Sequence, residues 1–289
     1  MQSAALLQSN QFNGEAAIWE VRVSDSDPIL DVQDISIRFG GVAALTDVSF
    51  QVKRNEIFSL IGPNGAGKTS LLNCISGRYK PQQGKVFFKG APLLPRSIND
   101  RAHIGIGRTF QNLAVFSHMT VIDNIMVGLH HKLKNNFLTG MAYWVGGAQK
   151  EEAEARLKVE DIIDFLEIQH VRNEPAGSLS YGLRKRVELA RAIAIDPELM
   201  LLDEPMAGMN LEEKEDMARY VIELNEQYGI TVVMIEHDMG VVVDISDRVA
   251  VLDFGKKIAE GLPEDVMEDE RVKTAYLGVD DDDDMEEVA

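Results

Sequence analysis

The chain has 289 residues, 45% of them hydrophobic and 26% charged, enough to bury a large core as one domain or two small ones. Its formal net charge of −18 argues against a nucleic-acid partner, because a phosphate backbone demands a basic face. No apolar run approaches the roughly 20 residues needed to cross a bilayer, and the single cysteine, Cys74, excludes an internal disulfide and reads as buried filler.

The first 28 residues read as a polar leader closed by Asp27-Pro28, with Trp19 as its one large anchor. No basic residue precedes Arg22, so the charged front of a secretory signal is missing and a cytoplasmic location is expected. From Ile29, LDVQDISIRFGG and then VSFQV alternate apolar and polar residues, which predicts two antiparallel strands with one buried face. Phe39, followed by Gly40 and Gly41, is placed either to stack on a nucleotide base or to fill the core.

The next stretch, IFSLIGPNGAGKTS, runs from Ile57 to Ser70 and fits the pattern Gly, four residues, Gly-Lys-Ser/Thr between a buried strand and a helix N-terminus. Gly62, Gly65 and Gly67 allow the backbone to fold into a nest of N–H groups aimed at phosphate oxygens, with the helix dipole adding positive potential. Lys68 would reach the outer phosphates, and the Thr69 hydroxyl would ligate Mg²⁺.

The helix is expected to end at Gly77. GKVFFKG reads as a short strand, and IGIGRTFQN runs from another strand into Gln111. MTVIDNIMVGLHH predicts a helix capped by Thr120, with Val121, Ile125 and Leu129 on one face. The adjacent His130 and His131 would point apart and make a poor metal pair. KLKNNFLTGMAYWVGG shows no period, and its aromatic cluster suits either a self-packed subdomain or a docking surface. Lys150 to Ile168 returns to helical spacing with Leu157, Ile162, Ile163 and Leu166.

In LSYGLRKRVELARAI, Ser180 is a natural N-cap, Gly182 permits close backbone approach, and Leu183, Val187, Ala190 and Ala194 share a helix face. ELMLLDEP and ITVVMIEHD are continuous apolar runs ending at acids, as in central strands of a parallel sheet covered on both faces. Functional groups gather beyond the carboxyl ends of such strands. That rule places Asp203, Glu204, Glu236 and His237 beside the phosphate loop. Asp203 could hold Mg²⁺ with Thr69, leaving Glu204 to act on a water. A crossover helix from Leu211 to about Tyr228 joins the strands. RVAVLDFGKKIAEG predicts a closing hairpin, and PEDVMEDERVKTAYLG terminal helices. Asp280 to Asp284 with Glu286 and Glu287 form an acidic run of the kind that is a solvated, disordered tail.

With these motifs in this order, the chain resembles the ATP-binding subunits of ABC transporters from Ile29 to Gly278. They are the aromatic Phe39, the loop from Gly62 to Thr69, Gln111, the signature Leu179 to Leu183, the Asp203-Glu204 pair, the loop Ala207 to Asn210, and His237. The resemblance implies an α/β P-loop NTPase fold with a mixed central sheet, an N-terminal antiparallel β subdomain and an inserted α-helical subdomain at about 112–178. A C-terminal extension would cover about 255–278. ATP would contact Phe39, Gly62, Pro63, Asn64, Gly65, Ala66, Gly67, Lys68, Thr69 and Ser70. Thr69, Gln111 and Asp203 would serve Mg²⁺, and Glu204, His237, Lys68 and Gln111 the hydrolysis. Two such subunits would close head to tail, with Ser180 and Gly182 completing the partner's site. Multi-span permeases at the cytoplasmic face of the inner membrane would be the partners, with an external solute-binding protein engaged indirectly.

The signature reads LSYGL where the commonest family form is LSGGQ, so Tyr181 and Leu183 depart from it, and Asn210 stands where many members carry Asp. The altered signature, the AGMN loop, the FLTGMAYW insertion and the ending EDERVKTAYLG resemble the first ATPase of branched-chain amino acid importers. Related systems for urea or amide uptake or lipopolysaccharide export are alternatives. A soluble ABC ATPase of repair or translation fits less well, because the chain holds one ATPase half and is acidic. A non-hydrolysing regulator is disfavoured by Glu204 and His237.

Overall fold

The computed structural model describes residues 27–94, 96–109, 115–129 and 147–277. The expectations for the leader before residue 27, Gln111, the His130-His131 pair, the aromatic insertion and the acidic tail lie outside the described residues.

Strands β1 (Leu30–Phe39) and β2 (Val42–Val52) pair antiparallel across Gly40-Gly41. The second strand starts at Val42, earlier than the VSFQV pattern suggests. Its alternation is broken where Asp34 and Asp47 both take φ of 50° and the register shifts. The Asp47 N–H donates to Ser36 Oγ at 2.9 Å, holding the irregular stretch to its neighbour. The chain then enters β3 (Ile57–Ile61) and α1 (Lys68–Ile75), and returns as β4 (Gln83–Phe88) and β5 (Ala91–Pro92). The first sheet thus has the order β2-β1-β4-β5.

A short helix, α2 (Ile98–His103), follows on a reciprocal capping box between Ser97 and Asp100. After β6 (Ile106–Arg108) come α3 (Val121–Leu129), α4 (Gly147–Phe165) and α5 (Tyr181–Ala194). Val121, Ile125 and Leu129 are buried as the pattern predicts. Leu157 is not: it is 67% exposed, and the face of α4 that packs is Val159, Ile162 and Ile163, continued by Leu166 just past the helix end at i, i+3, i+4 and i+7.

The second half runs β7 (Leu199–Asp203), α6 (Leu211–Glu226), β8 (Thr231–Ile235), α7 (Met239–Ile245), then the hairpin β9 (Arg248–Asp253) and β10 (Lys256–Gly261), and finally α8 (Pro263–Glu268) and α9 (Glu270–Leu277). The second sheet has the order β10-β9-β3-β8-β7-β6, parallel from β6 to β9 and antiparallel at β10. Every residue of β3, β7 and β8 is buried, the double coverage their unbroken apolar runs predict.

Alternation along β7 and β8 feeds two cores. Leu199, Leu201, Val233 and Ile235 pack with α1 and the antiparallel sheet, while Met200, Leu202, Val232 and Met234 pack with α3 to α6. Cys74 is fully buried in the first of these, and burial pushes its thiol up to about 11. Among the described residues no helix is long and apolar enough to cross a membrane. Register brings the strand ends level: Leu60 pairs with Ile235, and Ile235 with Asp203. The residues that follow β3, β7 and β8 therefore meet at one edge.

Candidate functional site

The loop after β3 is built on glycines that nothing larger could replace. Gly62 has φ 138°, and a Cβ there would come 1.9 Å from the carbonyl oxygen of Leu252 in the neighbouring β9. Gly67, at φ 100°, opens α1 against Ala44, whose carbonyl would lie 2.5 Å from an added Cβ. Between them Ala66 is buried, Asn64 and Gly65 are exposed and Pro63 half-buried; the Ala66 N–H donates to the Pro63 carbonyl at 3.2 Å. Lys68 folds back into this ring, its Nζ donating to Gly62 O at 2.6 Å and Pro63 O at 2.9 Å. Burial lowers its pKa, against the opposing pull of Glu204 and Asp203. Thr69 and Ser70 lie half-buried on the first turn of α1.

Asp203 ends β7 with 1% side-chain exposure, and Oδ2 accepts from Arg108 Nη2 at 3.2 Å. Arg108 also donates to Ser76 Oγ at the end of α1. Burial raises the Asp203 carboxyl, and Arg108 offsets part of that shift. Oδ1 of Asp203 is buried and has no hydrogen-bond partner among the described residues. An orphaned carboxylate oxygen and the Thr69 hydroxyl are hard donors that fit a divalent cation. Among the described residues no three His, Cys, Asp or Glu side chains gather to hold a metal alone.

Glu204 follows with φ 52°, a left-handed turn that swings its side chain away from the line of β7. Its Oε1 lies 2.7 Å from His237 Nε2. Glu236, 3% exposed, brackets the pair from beneath: Oε1 accepts from Met206 N–H at 2.9 Å and Oε2 from His237 N–H at 3.0 Å. Burial raises the Glu236 carboxyl, and N–H groups of Met206, His237 and Asp238 pull it back.

Ser180 is the N-cap of α5, its Oγ accepting from Leu183 N–H at 3.3 Å. Gly182 faces the start of α6, where a Cβ would meet Glu213 Oε1 at 2.2 Å. Asn210 caps α6, with Oδ1 accepting from Glu213 N–H at 2.9 Å, so its carboxamide serves the helix end where many family members place a carboxylate. Phe39 is not a core residue: it is 47% exposed at the end of β1, edge-on to Tyr79 with centroids 5.0 Å apart. The structure thus brings together Lys68, Asp203, Glu204 and His237, and sets Gly182, two residues past the Ser180 cap, against the start of α6. Arg108 and Lys185, whose Nζ donates to Glu204 O at 3.2 Å, are site residues that sequence patterns did not single out.

Residues 45–207 match the family model described as ABC transporter. The chain belongs to the ABC transporter family. Residues 256–282 match a second model, described as Branched-chain amino acid ATP-binding cassette transporter. The high-affinity branched-chain amino acid transport ATP-binding protein BraF of Pseudomonas aeruginosa is 37% identical over 253 residues, covering 88% of this chain and 99% of that one. A nucleotide-free ATP-binding cassette from an ABC transporter superposes with a TM-score of 0.76 at 33% identity, covering 87% of this chain and all of that one. A dimeric cassette in a post-hydrolysis state, bound to ADP and Pi, gives 0.69 at 25% identity over 81% of this chain and 98% of that one. The cassette described here is therefore an ATP-binding subunit and an ATPase.

Proposed function

We propose that the chain is the energy-coupling ATPase of an importer for branched-chain or related amino acids. The observation that carries the chemistry is the Glu204–His237 pair at 2.7 Å, together with a phosphate loop whose lysine is folded back onto the loop carbonyls. The match over residues 256–282 and the importer ATPase BraF support the cargo class. The cassette would span about 29–278, with a helical part at about 112–178 that grips multi-span permeases at the cytoplasmic face of the inner membrane. An external solute-binding protein would be engaged only indirectly.

ATP enters with its base against the exposed Phe39 ring and its phosphates over the loop Gly62 to Ser70. Lys68 leaves the Gly62 and Pro63 carbonyls for phosphate oxygens, and the loop N–H groups take the rest. Mg²⁺, when bound, neutralises charge on the phosphate oxygens, and Thr69, Asp203 and Gln111 would hold it. Glu204 accepts a proton from water as the water oxygen bonds to the γ-phosphorus and the bond to the β-bridging oxygen breaks. His237 orients that carboxylate and reaches toward the γ-phosphate. A second cassette, identical or related, docks head to tail, presenting its own Ser180 and Gly182 equivalents across the site, and the dimeric state of the cassette above supports such pairing. Closure on ATP and reopening after hydrolysis drive the permeases.

The test is a gentle affinity purification of the tagged chain from native membranes, with mass spectrometry of what stays bound. Two multi-span permeases and a second cassette are expected, followed by ATP-dependent uptake of leucine, isoleucine and valine. Recovery alone, or with ribosomal or repair factors, overturns the transport assignment and leaves the ATPase chemistry standing.

A further inference from the structure

The signature segment is bonded, within one chain, to the turn that carries Glu204. Lys185 lies on the buried stripe of α5 that also holds Gly182 and Leu189, and it is 4% exposed. Its Nζ donates to the Glu204 carbonyl at 3.2 Å and lies 5.9 Å from the centroid of the Tyr181 ring. That ring packs on the loop beyond Glu204: a Cβ built on Gly208 would come 3.2 Å from Tyr181 Cε1. Tyr181 of the signature thus touches the loop, and Lys185, one turn further along α5, donates to the loop's first carbonyl.

The Glu204 carbonyl also accepts from Ala207 N–H at 3.3 Å, so Lys185 adds a side-chain hold to a turn the backbone already closes. Glu204 sits at φ 52°, a conformation that disfavours any residue with a Cβ, so its geometry persists only where neighbours fix it. Lys185 is a buried cation placed where its hydrogen bond fixes the Glu204 peptide plane, and with it the direction of the carboxylate. The commonest family form has glycine at the position of Tyr181. Glycine offers neither a ring to an ammonium nor a surface to Gly208.

We propose that Tyr181 and Lys185 make the start of the signature helix and the backbone of Glu204 move as one unit. The proposal rests on the head-to-tail reading, in which the signature serves the partner's ATP and Glu204 the chain's own. A displacement of α5 as it closes on the partner's nucleotide passes through Lys185 Nζ to the Glu204 carbonyl and sets the carboxylate. Turnover at one site therefore waits on occupancy of the other. Lys185 is a positioning residue, acting through Glu204.

The experiment measures ATP turnover against ATP concentration for the full chain with its partner cassette, alongside equilibrium ATP binding. Lys185→Met is expected to lower kcat about tenfold, to abolish the sigmoidal dependence on ATP, and to leave the ATP Kd within about twofold. Lys185→Arg, which keeps a donor, recovers at least half of kcat. Tyr181→Gly, on a partly exposed site, gives the same loss of sigmoidicity without removing a charge, and decides the matter if Lys185→Met fails to fold. The proposal is overturned by a hyperbolic wild-type curve, by variants with wild-type kcat and sigmoidicity, or by ATP affinity falling in step with kcat. Failure of the ATPase reading looks different: the wild type itself would then show no turnover sensitive to Glu204→Gln.

Discussion

His237 Nε2 lies 2.7 Å from Glu204 Oε1, and the two residues belong to the ends of neighbouring strands 33 positions apart. A carboxylate held by an imidazole in this way is aimed before substrate arrives. Glu204→Gln should retain ATP binding and trap a closed dimer, with turnover lowered on the order of 100-fold or more. His237→Ala should lower kcat with a smaller change in ATP Kd. Single-turnover hydrolysis checks both, and a Glu204→Gln variant that turns over at the wild-type rate removes Glu204 as the base.

Glu236 accepts from the backbone N–H of His237 and from that of Met206, two residues beyond Glu204. Its amide, Glu236→Gln, turns an NH₂ toward one of those donors. We expect kcat to drop about tenfold with KM for ATP unchanged within about twofold. In a Glu204→Gln background the same change should cost no further activity. Multiplying losses in the double variant would show that Glu236 acts elsewhere.

Gly62→Ala places a methyl group against the Leu252 carbonyl at a distance of 1.9 Å, with φ at 138°. The strand β9 has to shift for the variant to fold. A loss of about 3 kcal/mol or more is expected from urea unfolding, together with loss of ATP binding. Wild-type stability would mean that the loop does not need the close approach.

Cys74 supplies a pH signature for the core. Its thiol is raised from 9.0 to about 11 by burial, so between those values the native state holds a proton that the unfolded chain has lost. The stabilising effect is complete below pH 9 and disappears as pH rises through 11, with a slope of about 1.4 kcal/mol per pH unit. Denaturation from pH 8 to 11 should show this decline in the wild type and a flatter curve in Cys74→Ala. Equal slopes would place the thiol in contact with water.

The phosphate loop, the strands β3, β7 and β8, and the cap at Ser180 were legible because each rests on a local pattern: glycine spacing, an unbroken apolar run, a hydroxyl before a helix. The capping box of Ser97 and Asp100 was equally local and would have found α2. Leu157 fits a helical period but lies on the opposite side of α4 from Val159 and Ile163, so its angle, not its residue type, leaves it in solvent. Arg108 was beyond reach: its partner Asp203 is 95 residues away, and an arginine after a glycine carries no mark of burial. Lys185 left one trace, a cation at i+3 from Gly182 and i−4 from Leu189 on a face that is otherwise apolar. Phe39 shows the opposite limit, since pattern alone cannot tell an aromatic at a strand end from one in the core.

The left-handed turn at Glu204 sets chemistry and folding against each other at a single residue. Glycine would suit the backbone there better by about 1 kcal/mol, and asparagine by somewhat less. On the role proposed for Glu204, the chain thus carries a small folding cost at the residue that serves hydrolysis.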